Sequence, residues 1–364
     1  MEEEYFLVHP DTHGMTAAGD RVVARASGLL GDQVAGEFSQ GQVEGRTAPC
    51  STMDELRTDL RRVRAGLAAA ARAEGLRLCA SGTPVLDGPA GRAELGDHPR
   101  YRDGARQYRS MLDDFAICAA HTHVHLPDRE TAVLVGNHLR PWLPLFIAMS
   151  ANSPYHRGQD TGYASWRSVI RGRFPCLGPP PYARSLAEWE ELASAIAATE
   201  AMLEPGMPFW DVRPNPRLPT VEIRTMDVPA DLDDTVALTA LIRALVLTAA
   251  DRVADGDPGP RPPVELLRAA YWRAGRDGWS GSGVDAVTGE VLPSGVQARR
   301  LLALVRPALR AQGDEDEAMA FLSRLDRRGT GADRQRARMA ADPHLGRLVE
   351  SLVAETCAGE PGAR

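Results

Sequence analysis

The chain has 364 residues, 43% of them hydrophobic, and a formal net charge of −7; it is long enough to bury one large core or two smaller ones, and disorder is not expected. No run approaches the roughly 20 uncharged apolar residues of a membrane span, and Met1-Glu2-Glu3-Glu4 is the reverse of a basic, apolar signal sequence, so a cytoplasmic protein is expected. There is no lysine: all 42 basic side chains are arginines scattered along the chain, which excludes Schiff-base, pyridoxal-phosphate, Walker-A and kinase-type lysine chemistry and leaves no basic stripe for nucleic acid.

Glu2 to Val8 reads as a strand, followed by a turn around Pro10 to Gly14 and a second strand near Arg21 to Ala26. Gly36 to Arg46 reads as a strand interrupted by Gly41, with Gln40, Gln42 and Glu44 on one face. Thr52 and Glu55 have capping-box spacing and begin a helix to about Glu74, with Leu56, Leu60, Val63 and Leu67 as its apolar stripe and Gly75 as its stop. A short strand over Leu76 to Ala80 precedes a polar, glycine-rich connection from Ser81 to about Arg100. A helix then leads through Leu112 into the segment Ile117 to Leu126. Arg129 to Ser150 and Leu186 to Leu203 read as helices, Thr220 to Met226 as a strand, and Leu232 to Ala254 as a long apolar helix. The remainder is helical, broken at Asp255 to Pro263 and Gly278 to Gly289. With no repeat and no separating linker, residues 1–358 form one α+β domain, and residues 359–364 a flexible tail.

The five cysteines have no Cys-x-x-Cys spacing and read as reduced thiols. More informative is the alternation of ionisable groups on predicted strands. Glu2 and Glu4 share one face, as do Gln42 and Glu44, then His121, His123 and His125, and finally Glu222 and Arg224. The residues between them, including Thr122, Val124, Val221 and Ile223, point the other way, giving a sheet with one apolar face and one crowded with carboxylates and imidazoles. Such crowding destabilises a fold unless cations neutralise it, and oxygen donors with an occasional imidazole suit Mg²⁺ or Mn²⁺.

Five collinear blocks then carry a resemblance: His121-Thr-His-Val-His-Leu-Pro-Asp-Arg-Glu130; Ser150-Ala-Asn-Ser-Pro154 with Asp160-Thr-Gly-Tyr-Ala-Ser-Trp-Arg-Ser168; Trp210-Asp-Val-Arg-Pro214; Pro219-Thr-Val-Glu-Ile-Arg224; and Gly331-Ala-Asp-Arg-Gln-Arg336. Together they resemble the type-2 glutamate-cysteine ligases, YbdK-like carboxylate-amine ligases, over essentially the whole chain. The resemblance implies a glutamine-synthetase-like antiparallel sheet funnel with helices packed on its outer face. It implies ATP and Mg²⁺ or Mn²⁺, with glutamate and an amino-acid amine as substrates, cysteine being the default acceptor and a non-standard amino acid the alternative. By motif, Glu2, Glu4, Glu44 and Glu222 match metal ligands, with Glu37 as a neighbour of Glu44. The imidazole ligand falls at His121 or His123. Arg224 matches the arginine that meets the transferring phosphoryl group, Arg167 an arginine that holds substrate carboxylate, and Arg213 and Arg334 further substrate contacts. Two departures stand out: the acids begin at residue 2, where the family usually has residues ahead of the acidic strand, and His125 falls where the family commonly has glycine. Two other readings remain open, a metal-dependent amidohydrolase built on His-x-His and a non-catalytic relative that only binds glutamate or nucleotide. Homo-oligomer formation also stays open.

Overall fold

The structure is a computed structural model and describes residues 1–88, 94–96, 99–203 and 206–358. In chain order the elements are β1 (Glu2–Val8), α1 (Gly19–Leu30), β2 (Val34–Gly36), β3 (Gln42–Arg46), α2 (Met53–Ala73), β4 (Arg77–Cys79), α3 (Pro99–Tyr108), β5 (Ala119–His125), α4 (Arg129–Leu139) and α5 (Leu143–Ser150). A small hairpin, β6 (Tyr155–His156) and β7 (Gln159–Asp160), precedes α6 (Trp166–Arg171), α7 (Leu186–Ala198), β8 (Val212–Pro214), β9 (Thr220–Asp227), α8 (Leu232–Ala254) and α9 (Val264–Asp277). A second hairpin, β10 (Ser282–Val284) and β11 (Val291–Pro293), leads into α10 (Ser294–Gln312), α11 (Glu315–Arg328), α12 (Gly331–Ala341) and α13 (Leu345–Thr356).

The main sheet runs β2-β3-β1-β5-β9-β8, with β4 also paired to β1, and every pairing is antiparallel. Its apolar face carries the core, as the alternation requires. Val124, Val221, Ile223 and Met226 pack with α4, α5, α8 and α10, while Tyr5, Leu7 and Val43 pack with Val22, Ala26 and Leu30 of α1 and Val63 and Leu67 of α2. The expected antiparallel sheet with helices on one face is therefore present.

Glu3 points to the helix side, away from Glu2 and Glu4, and is fully buried. It survives there because Arg64 of α2 grips both its oxygens, at 2.9 and 2.6 Å, while Thr235 and Tyr5 donate further hydrogen bonds. Arg64 in turn donates to the carbonyls of Ala230 and Pro229, tying β1, α2 and the start of α8 together. Arg64→Ala leaves a buried carboxylate unpaired and is expected to cost about 3–5 kcal/mol of stability in urea unfolding.

Several predicted elements take other forms. Arg21 to Ala26 lies in α1, because Val22, Ala26 and Leu30 form a buried helical stripe that outweighs the strand preference of adjacent valines. Gly36 to Arg46 is not one interrupted strand. The chain turns at Ser39 to Gly41 between β2 and β3, so Gln40 leaves the face shared by Gln42 and Glu44; a Cβ on Gly41 would come 2.5 Å from Met15. The helix expected over Arg129 to Ser150 breaks into two around a 3-10 turn at Arg140–Trp142, where Pro141 cannot continue the hydrogen-bond ladder. The helix after Leu186 ends at Ala198, short of Leu203. The strand β8 and both hairpins carry no periodic pattern and were not expected. The tail over residues 359–364 lies outside the described residues.

Candidate active site

A cavity of about 480 Å³ opens on the polar face of the sheet. Strand register brings its floor together: Glu2 lies opposite His121, Glu4 opposite Glu44, His123 opposite Glu222, and Arg213 opposite Glu222. Glu37, just after β2, joins them. Three groups of donor atoms each fall within 4.8 Å of one another: Glu2, Glu44 and His121; Glu2, His123 and Glu222; and Glu4, Glu37 and Glu44. Glu2 and Glu44 are each shared by two groups.

The electrostatics of this cluster call for cations. Burial, followed by the neighbouring Glu37, pushes Glu4 up to about 8 and Glu44 well above the carboxylate range; burial also raises Glu37. Burial and then Arg224 pull His121 down to about 3, so its imidazole is neutral. Its Nδ1 lies 3.2 Å from Glu2 Oε2, so a proton placed there leaves Nε2 as a lone pair, and Nε2 is buried without a hydrogen-bond partner. His123 repeats this arrangement, with Nδ1 3.2 Å from Thr220 Oγ1 and an orphaned Nε2 3.4 Å from Glu2 Oε1. Ring nitrogens fixed by a second partner, among clustered carboxylate oxygens, fit a divalent cation such as Mg²⁺ or Mn²⁺. Both histidines are placed to contribute, in different groups. His125 is exposed at the strand end and does not line the cavity.

The opposite side of the floor is rich in arginine. Arg213 bonds both oxygens of Glu222, at 3.0 and 3.1 Å, Asn215 donates to one at 2.9 Å, and Arg224 pairs with the other. Burial disfavours the Glu222 charge, but Arg224 and Arg213 outweigh it and hold the carboxyl far below its usual range. Arg100, Arg213 and Arg224 all lie over the ring of Phe209, at 5.5, 5.5 and 5.7 Å.

A register shift between β5 and β9 sets the orientation of Arg224. Ala120 pairs with Met226 but Thr122 with Ile223, so Arg224 and Thr225 together oppose His121. The core side chains Val221, Ile223 and Met226 follow the resulting spacing of two and then three. Arg167, 1% exposed, closes this bulge by donating to the carbonyls of Thr225 and Arg224 at 3.2 and 3.1 Å. Asp227, 3.8 Å from Arg167, accepts bonds from Asn152 N, Ser153 and Ser165. Gln335 binds Asn152 in turn, so the blocks around residues 150–168 and 331–336 brace β9 from behind.

The structure thus gathers Glu2, Glu4, Glu44, His121, Glu222, Arg224, Arg213 and Arg167 around one cavity, with His123 beside Glu2 and Glu222 but not on the cavity lining. It does not bring Arg334 there: that guanidinium binds Glu355 and the Gly329 carbonyl and lines a separate depression. Sequence reasoning missed Asn215, Asp227 and Phe209. Asn215 directly follows a quoted block and Asp227 ends the β9 pattern, so both had a weak signal; Phe209 had none.

This arrangement of antiparallel sheet and helices is a known fold. Over 98% of the chain it resembles the bifunctional glutathione synthetase from Pasteurella multocida, with TM-score 0.69 and 13% identity, spanning 52% of that protein's chain. Over 96% of the chain it resembles the ligase PafA, solved in complex with the prokaryotic ubiquitin-like protein Pup, with TM-score 0.52, 12% identity and 70% of that chain covered. The sequence narrows the class. The family model for glutamate-cysteine ligase family 2 matches residues 1–351. Relatives provisionally named glutamate-cysteine ligase 2-1 are 42% identical in Nocardia farcinica, over 99% of this chain and 94% of the relative, and 40% identical in Saccharopolyspora erythraea, over 100% and 96%. The chain belongs to glutamate-cysteine ligase family 2 and is a ligase.

Proposed function

We propose that residues 1–358 form one catalytic domain that joins the γ-carboxyl of glutamate to the amine of an amino acid, using ATP with Mg²⁺ or Mn²⁺, in the cytoplasm. The observation that carries this reading is the meeting, at one cavity of a family member, of two carboxylate-imidazole clusters and one all-carboxylate cluster with the Arg213-Glu222-Arg224 array.

A carboxylate is a poor electrophile. In the proposed sequence a γ-carboxylate oxygen attacks the terminal phosphorus of ATP, ADP leaves, and γ-glutamyl phosphate forms. The amine nitrogen then bonds the γ-carbon, the carbon-oxygen bond to phosphate breaks, inorganic phosphate leaves, and the nitrogen sheds its proton. Glu2, Glu4, Glu44, Glu222, His121 and His123 are assigned as metal ligands; divalent cations bound there neutralise phosphoryl charge. Arg224 faces the transferring phosphoryl group, and Arg213 with Asn215 holds Glu222 in place. No covalent enzyme intermediate is required. A metal-dependent amidohydrolase gains no support, since the donor groups found among the described residues contain only His121 and His123 as imidazoles.

Arg167 is assigned a positioning role, because Nη1 and Nη2 donate to β9 carbonyls and only Nε, buried at the cavity wall, is left without a partner. Arg167→Lys is expected to lower kcat on the order of 10²-fold by loosening the bulge that aims Arg224, with the KM for glutamate little changed. A rise in that KM at unchanged kcat would instead make Arg167 a substrate contact. The function itself is tested with purified protein, glutamate, ATP and Mg²⁺. Release of ADP that depends on an added amino acid, with a γ-glutamyl amide seen by mass spectrometry, supports the ligase; amide cleavage without ATP supports a hydrolase.

A further inference from the structure

The two sides of the cavity differ in chemistry. On the β9-β8 side stand Arg213, Arg224 and Phe209; on the β2-β3 side, beside Glu37 and Glu44, stands an arc of aromatic rings. Phe38, next to Glu37 in the chain, packs edge-on against Phe115 at 6.2 Å, and Phe115 against Phe174 at 4.6 Å. Tyr101 of α3 closes on Phe38 at 5.0 Å, and Leu112 and Ile117 complete the wall. These rings come from separate parts of the chain and line the cavity together, leaving an apolar surface immediately beside the Glu4, Glu37 and Glu44 carboxylates.

Resting on the ligase reading above, we propose that this arc is the side-chain pocket for the acceptor, and that the acceptor is an amino acid with a large apolar or aromatic side chain in place of cysteine. Charge decides which substrate lies where. The polyphosphate belongs with the arginines of β8 and β9 and the cations assigned to the carboxylate floor, whereas the rings of the arc carry no charge and suit an uncharged side chain. A substrate bound there places its side chain on Phe38, Phe115 and Phe174. The cysteine side chain, one methylene and a thiol, leaves most of that wall uncovered, while a phenylalanine-sized group removes it from water.

The test is a steady-state acceptor panel, with phenylalanine, leucine and methionine against cysteine, alanine, aspartate and arginine, at fixed ATP, glutamate and Mg²⁺. A large apolar acceptor is expected to exceed cysteine in kcat/KM by at least about tenfold. Phe115→Ala is expected to lower that value about tenfold or more for the large acceptor, with the KM for ATP and for glutamate little changed. Cysteine or another small or charged acceptor as the best substrate overturns the proposal. So does a Phe115→Ala variant in which the KM for ATP rises while that for the acceptor stays constant, since the arc would then hold the nucleotide. Should Phe115→Ala lack a cooperative melting transition, Phe115→Leu replaces it: a changed ratio of phenylalanine to leucine turnover supports the pocket, and an unchanged ratio counts against it. Absence of ADP release with every amine defeats the ligase reading, and the acceptor assignment with it; ADP release with cysteine alone defeats only the latter.

Discussion

Glu2→Ala is expected to lower amine-dependent ADP release on the order of 10²–10³-fold while the protein still folds. Glu2 belongs to two of the three donor groups, is the hydrogen-bond partner of His121, and lies 3.4 Å from His123 Nε2. Its loss therefore removes a donor from two positions and frees the tautomer of His121 at once. The fold should tolerate the change, because the neutral His121 needs no counter-charge and Glu2 contributes little to either apolar core. Circular dichroism and ADP release on the same sample check both halves. Glu222→Ala, which looks equivalent in sequence, should behave differently. It strips the counter-charge from the buried Arg213 and the half-buried Arg224, so loss of turnover should come with a clear loss of stability.

Stripped of divalent cations, the protein is expected to lose stability as pH rises from about 4.5 to about 8, and Mg²⁺ or Mn²⁺ should abolish that loss. Glu4 is held protonated up to about 8 in the folded state, whereas in the unfolded chain it releases its proton near 4.5. Within that window the folded state binds more protons than the unfolded one, so the derivative of stability with pH is negative. Glu44 and Glu37 shift in the same direction and add to the loss. For a single buried carboxyl the effect is on the order of a few kcal/mol. The acid limb has the opposite sign. His121, held neutral down to about 3, takes up its proton more readily when unfolded, so its own contribution falls as pH drops below the ordinary imidazole range and offsets part of the carboxyl effect there. Thermal melts with EDTA, and with excess Mg²⁺, across pH 5 to 9 measure both limbs. An EDTA profile that stays flat over the upper window would show that the carboxylates are not the cation-dependent element.

The strands that carry the carboxylates were legible because alternation is a local pattern. Glu2 and Glu4 against Glu3, Tyr5 and Leu7, and Glu222 and Arg224 against Val221 and Ile223, announce two faces whatever the rest of the chain does. The same pattern says that Glu3 points inward, but not that Arg64 meets it, since that pairing is made by helix packing across 61 positions. Nor could it show that Arg213 clamps Glu222. Strand β8 is three residues long and ends in proline, too short for any period, and only its pairing to β9 aligns the two side chains. The bulge at Arg224 and Thr225 involves no glycine and left no mark in the sequence. Arg167 and Arg334 sit in equally distinctive blocks, yet one stands at the cavity wall and the other in a distant ion-pair cluster. The aromatic arc was hidden for a related reason: Phe38, Phe115 and Phe174 lie on connections between elements, where spacing carries no information about proximity.

The most direct measurement of the central claim follows oxygen. Glutamate labelled with ¹⁸O in its γ-carboxylate is turned over with ATP, Mg²⁺ and an accepted amino acid, and the inorganic phosphate is analysed by mass spectrometry. If the carboxylate attacks ATP and leaves as phosphate, each turnover should deliver one labelled oxygen to the phosphate. Unlabelled phosphate alongside amide product would contradict the acyl-phosphate route and the roles assigned to Arg224 and the carboxylate face.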